Sequence, residues 1–120
     1  MINYFIKDAP VLIIACADPA KSLVLNEQPM YLVDVTLSFQ QMIMAAWSFG
    51  IGSCWLGGFN EKSLKKLLNI PDHIKVVAMS PFGYPKEKKS FYAKVVSLVS
   101  SSKKRVAKEE IIHYNIWEDK

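Results

Sequence analysis

Between Leu32 and Phe49 the chain holds an apolar run of helical length that ends at Gly50-Ile51-Gly52. This run constrains the fold more than any other feature. It carries Asp34, Ser38, Gln40, Gln41 and Ser48, too many polar groups for a membrane-spanning helix. Only a narrow polar stripe remains, so the helix must be covered by a sheet, a partner chain or both. Gly50 suits a left-handed helix terminus, because it has no Cβ to clash. A short apolar strand, Ser53-Cys54-Trp55-Leu56, is expected next, and Gly57-Gly58 ends it. A glycine turn and a strand ending in paired glycines suit a site where main chain approaches a flat ligand closely.

The flanking segments supply the cover. Val11–Ala17 is an unbroken apolar run of strand length, read as buried on both faces, and it stops at Asp18-Pro19. Residues 20–30 read as a loop. Asn60 is a good N-cap for a helix over Glu61–Leu68, with Leu64, Leu67 and Leu68 inward and Lys62, Lys65 and Lys66 in water. Asn69-Ile70-Pro71-Asp72 terminates it. Ile74–Pro81 is the next strand, leading to a turn at Phe82-Gly83-Tyr84-Pro85. A weak helical signal covers Ser90–Ser101. Strands near 10–17, 53–57 and 74–81, with helices near 31–49 and 61–69, predict a layered α+β fold, a mixed sheet packed by helices. We read all 120 residues as one domain, with a basic arm at 86–108 and a C-terminal tail at 109–120. The tail's Ile111, Ile112, Tyr114, Ile116 and Trp117 call for cover, and together with the apolar helix they predict a homodimer.

Charge is unevenly spread. Residues 86–108 hold eight basic side chains against the single acid Glu87, although the whole chain carries only +4. Such an arm can hold a phosphate, touch nucleic acid or keep a surface solvated. Without a nucleic-acid motif, no nucleic-acid partner is expected. No membrane partner is expected either, and no signal peptide is visible at the N-terminus. Cys16 and Cys54 lie inside apolar runs without metal-ligand spacing, so they read as small core residues of a reducing, cytoplasmic protein. Metal and disulfide roles are not expected. His73 and His113 read as surface or structural residues, and Asp34 as a favourable charge at a helix N-terminus. Gly50-x-Gly52 follows a helix and precedes a strand, the reverse of a dinucleotide fingerprint. No nucleophile elbow surrounds Ser53.

Five blocks in order resemble the FMN-dependent nitroreductase family. They are Ala9-Pro10 with its strand, Asp34 to Phe59, Leu67-Leu68-Asn69-Ile70-Pro71, Gly83-Tyr84-Pro85, and Arg105 followed by Glu109 to Asn115. The resemblance implies a nitroreductase-like fold and a ping-pong oxidoreductase. NAD(P)H would reduce FMN, and a nitroaromatic, quinone or similar small-molecule acceptor would then be reduced. It implies that Trp55, Leu56, Gly57 and Gly58 lie along the flavin ring, and that Lys103 and Arg105 meet the FMN phosphate. On its residues alone, Trp55 reads as core and Lys103 equally as part of the solvated arm. The flavin carries the chemistry in this family, so no catalytic side chain is named. The family's arginine-serine phosphate motif has no counterpart here, which predicts a fold truncated at the N-terminus. The alternative function is a truncated, non-catalytic module with weak or no flavin binding, acting in assembly.

Overall fold

The structure is a computed structural model that describes residues 4–86 and 105–117. Two compact units divide at the Pro85/Lys86 boundary. In the first unit, a 3-10 turn at Tyr4–Asp8 leads into β1 (Val11–Ala17). Asp18 accepts from the N–H of Ala20 and so caps a second 3-10 turn at Pro19–Lys21. A hairpin of β2 (Val24–Leu25) and β3 (Gln28–Pro29) follows. Then come α1 (Met30–Ser48), β4 (Gly52–Ser53), α2 (Glu61–Leu68) and β5 (Lys75–Gly83). The second unit contains the short helix α3 (Lys108–Ile111). The helical signal at Ser90–Ser101 lies outside the described residues.

The three-stranded sheet has the order β1-β5-β4, and both pairings are antiparallel. The central strand is therefore β5, and its residues Ala78 to Phe82 are buried. β1 lies at an edge, with Val11 and Leu12 exposed, not buried on both faces as its unbroken apolar run suggests. A bulge between Ala15 and Cys16 shifts its register, so that Ala15 pairs with Ala78 and Cys16 with Val76. Helix α1 lays one stripe on the sheet: Tyr31, Val35, Phe39, Ile43 and Ala46 turn inward at helical spacing. Phe39 packs with Ala78 and Phe82 at the centre, flanked by Ile13, Ala15, Ile43, Ala46 and Ile51. Deleting the Phe39 ring (Phe39→Ala) would cost about 3–5 kcal/mol, since a cavity would open at the centre of the contact between helix and sheet.

Both ends of the helices follow local chemistry. Gly50 adopts φ +73°. The N–H of Gly50 bonds the carbonyl of Trp47, and that of Ile51 bonds the carbonyl of Ala46, which satisfies the last turn of α1. Asn60 accepts from the Ser63 N–H at 2.9 Å and caps α2, and Asn69 closes α2 in the left-handed region. The N-terminus of α1 departs from expectation. The helix begins at Met30 behind Pro29, so Asp34 lies in the second turn, beyond the reach of the dipole's positive end.

Other sequence readings are corrected by packing. Residues 20–30 form a hairpin whose turn places Asn26 at φ +50° and Glu27 at φ +64°. Lys65 does not face water; its side chain is only 11% exposed. Its ammonium lies 3.2 Å from Glu61 and 3.2 Å from the carbonyl of Asp72, while Leu67 turns outward. Glu61 also accepts from the N–H of Val76 at 3.1 Å, which ties α2 to the start of β5. Strand β5 continues past Pro81 through Phe82 and Gly83, where a turn was expected. Cys16 and Cys54 are exposed within this chain. So are Ile111, Tyr114, Ile116 and Trp117 of the tail, where Trp117 stacks on His113 at 4.1 Å. No helix among the described residues is long and apolar enough to cross a membrane.

Candidate functional site

The segment Trp55–Gly58 leaves the sheet beside the central strand. Only Gly52 and Ser53 form regular strand, shorter than the 53–57 expected, and the cause lies in Pro81. Gly52 pairs with Gly83, Ser53 with Phe82, and Leu56 with Met79. The register is thus constant along the segment, which sets Cys54 opposite Pro81. Leu56 and Met79 exchange two hydrogen bonds of 2.9 and 3.1 Å, so two residues along, Pro81 falls at the next hydrogen-bonding position. Proline has no N–H to donate there. The Cys54 N–H donates instead to the hydroxyl of Ser80 at 3.0 Å, and that hydroxyl donates to the Pro81 carbonyl at 3.1 Å. Ser80 is fully buried. Sequence reading missed it, although a Ser-Pro pair inside an apolar strand was a usable signal.

Leu56 is buried and anchors the segment. Trp55 is 38% exposed, its ring 5.1 Å from that of Phe39 at an angle of 57°. The indole therefore rests one side on the core and leaves aromatic surface open. Beyond it, Gly57 and Gly58 have φ outside the left-handed region. Among the described residues, a Cβ built at either would meet nothing within 4 Å. Their missing side chains answer no demand of this unit's own packing; they leave open space beside main chain. Gly52 and Gly83 contrast with them. A Cβ at Gly83 would lie 2.9 Å from Cδ of Pro10, and one at Gly52 would lie 3.0 Å from Cγ of Pro85. These contacts bring Pro10 against Gly83 and Pro85 against Gly52.

The neighbouring thiol is quiet. Burial pushes the Cys54 pKa up, so at neutral pH the thiol stays protonated and is a poor nucleophile. Among the described residues no group of three or more His, Cys, Asp or Glu side chains could hold a metal ion. Arg105 lies in the second unit, exposed, just ahead of α3. Lys103 lies outside the described residues. The open strip beside Gly57 and Gly58, with the Trp55 ring adjoining it in sequence, fits the edge of a planar cofactor such as a flavin: it offers main chain, aromatic surface and room.

Comparison with known proteins bears on the family. The model of the Nitroreductase family matches residues 1–84, so the match ends one residue before the boundary of the first unit. A protein of Archaeoglobus fulgidus named for NADH dehydrogenase/NAD(P)H nitroreductase activity is 37% identical over 91 residues, covering 71% of this chain and 50% of the relative. The FMN reductase (NADPH) of Bacillus subtilis is 28% identical over 88 residues, covering 72% and 31%. The crystal structure of a nitroreductase family protein from Clostridium novyi NT is 38% identical with a TM-score of 0.65, covering 68% and 47%. The chain spans half the length or less of these relatives. The block from Arg105 to Asn115 lies beyond the family match.

Proposed function

The chain belongs to the nitroreductase family, and from that premise we propose that it is an FMN-dependent oxidoreductase that takes electrons from NAD(P)H and passes them to a nitroaromatic, quinone or similar small acceptor. The observation that carries this reading is the open space beside Gly57, next to a partly exposed Trp55. The names of its relatives support it: one is an FMN reductase (NADPH) and another is named for NAD(P)H nitroreductase activity. When bound, FMN supplies a ring that accepts hydride and separates the oxidation of NAD(P)H from the reduction of the acceptor.

The chain's own residues then have distinct tasks. Leu56, held by two hydrogen bonds to Met79, fixes where the strip begins. Gly57, with Gly58 after it, would let main chain come close to the ring edge without a Cβ between them, and a fixed donor there would favour the electron-rich form. Trp55 shields one side from water. Arg105, with Lys103, is assigned to the phosphate, because a guanidinium fork and an ammonium match a dianion. The protonated Cys54 does not compete as a nucleophile for an electrophilic acceptor.

The apolar side chains that α1 leaves uncovered, with Trp47 65% and Phe49 76% exposed, support a homodimer as the working form. Steady-state oxidation of NADH or NADPH, followed with and without FMN and with a quinone or nitroaromatic acceptor, tests the activity. Turnover that needs FMN, with parallel double-reciprocal lines for the two substrates, is expected. Turnover independent of FMN would refute it. Sedimentation tests assembly: a stable, folded monomer at micromolar concentration would count against the dimer.

A further inference from the structure

The break in the sheet beside the candidate site has a consequence for the ligand. Pro81 removes one rung of the β4–β5 ladder at the point where the chain turns into Trp55–Gly58. Of the two bonds such a rung would hold, proline removes the one from position 81 N–H to the Cys54 carbonyl, and the buried Ser80 hydroxyl bridges the other, accepting from Cys54 N–H at 3.0 Å and donating to the Pro81 carbonyl at 3.1 Å. A regular rung would join Cys54 and Pro81 directly; here an oxygen atom is inserted between them. The segment is thereby held at three points, by the pairing of Gly52 with Gly83, by Cys54 on the Ser80 hydroxyl, and by Leu56 on Met79.

We infer that Ser80 is a positioning residue for the flavin-facing backbone: its hydroxyl, set between Cys54 and Pro81, determines where Trp55 to Gly58 lie. This rests on the flavin reading above. Ser80 is nowhere exposed and needs no contact with the ligand to act. Its role exists because position 81 is proline. If an N–H were restored at position 81, it would meet the Cys54 carbonyl, and the ladder could close without the serine. The roles of Ser80 and Pro81 are therefore coupled, and the coupling is measurable.

Amide hydrogen exchange and FMN titration on four full-length chains test this: unmutated, Ser80→Ala, Pro81→Ala, and the double variant. In Ser80→Ala, the Cys54 amide should exchange about tenfold faster and FMN should bind about tenfold more weakly, as the loss of one hydrogen bond to a buried N–H implies. Protection of Ala78, deep in the same strand, should stay within about twofold. In the double variant, both Cys54 protection and FMN affinity should recover most of what Ser80→Ala loses. Ser80→Cys, which keeps a weak donor and acceptor at similar volume, should fall between the unmutated chain and Ser80→Ala. The inference is overturned if Cys54 exchange is unchanged in Ser80→Ala, if Ala78 and Cys54 lose protection equally, or if the two substitutions simply add. If the unmutated chain binds no FMN while the exchange pattern holds, the flavin reading fails but the Ser80 relay stands.

Discussion

Replacing Gly57 by valine separates the two reasons a glycine can occupy this position. If Gly57 were needed by the fold, a side chain there would strain the backbone or strike a neighbour. The structure shows neither: its φ lies outside the left-handed region, and a Cβ would have no atom within 4 Å. Gly57→Val should therefore change unfolding stability by no more than about 0.5 kcal/mol, the usual range for an uncrowded surface site. Gly83→Ala is the matched control. Its single added methyl would lie 2.9 Å from Cδ of Pro10, inside van der Waals contact, and should cost about 1–3 kcal/mol as an overpacked site. Binding should show the opposite order. With a flavin edge against Gly57, a valine would force a similar overpacking into the complex, weakening FMN by about five- to a hundredfold. Denaturant unfolding and fluorescence titration with FMN on both variants give the comparison. The reasoning is refuted if Gly57→Val unfolds like Gly83→Ala, or if it binds FMN as the unmutated chain does.

Arg105→Ala should weaken FMN by about 1.5–3 kcal/mol and leave riboflavin, which has no phosphate, unaffected; equal losses in paired titrations would mean that Arg105 acts through folding or assembly. Glu61 is held below its ordinary value of 4.5, first by the Val76 N–H and then by Lys65. Its contribution to stability is fully present above that value and lost as the pH falls through the lowered folded value. Glu61→Gln should remove that part of the acid-side dependence in pH-resolved unfolding, and an unchanged profile would contradict the assignment. Glu27→Gly should raise stability by about 0.5–1 kcal/mol, because relief of a left-handed glutamate at φ +64° exceeds the added chain entropy; a fall in the melting temperature would show the turn is not strained.

The α+β class and the order of the main elements were legible because their signals are local. Gly50 announces the end of α1, Asn60 the start of α2, and Val11–Ala17 a strand, whatever surrounds them. What escaped depends on neighbours distant in sequence. An unbroken apolar strand looks buried on both faces, yet β1 became an edge because β5 took the centre. Lys65 looked solvent-facing by helical spacing until Glu61 and the Asp72 carbonyl drew it in. Phe82-Gly83-Tyr84-Pro85 read as a turn from its glycine and proline, yet β5 runs on to Gly83; the central strand tolerates Pro81 where the buried Ser80 hydroxyl takes the Cys54 N–H. At the candidate site, Gly57 and Gly58 were visible as a pair, but only the structure separates them from Gly52 and Gly83, whose missing Cβ atoms serve packing. The ring of Trp55 rests on Phe39, as the core reading had it, and is still partly open.

The most direct test of the central claim is the visible absorption spectrum of the unmutated chain as FMN is added, followed by gel filtration to separate bound from free flavin. The account predicts a saturable change in the flavin band and yellow colour that travels with the protein. A colourless chain that stays colourless in excess FMN would contradict it, and would favour an assembly module of this fold without flavin chemistry.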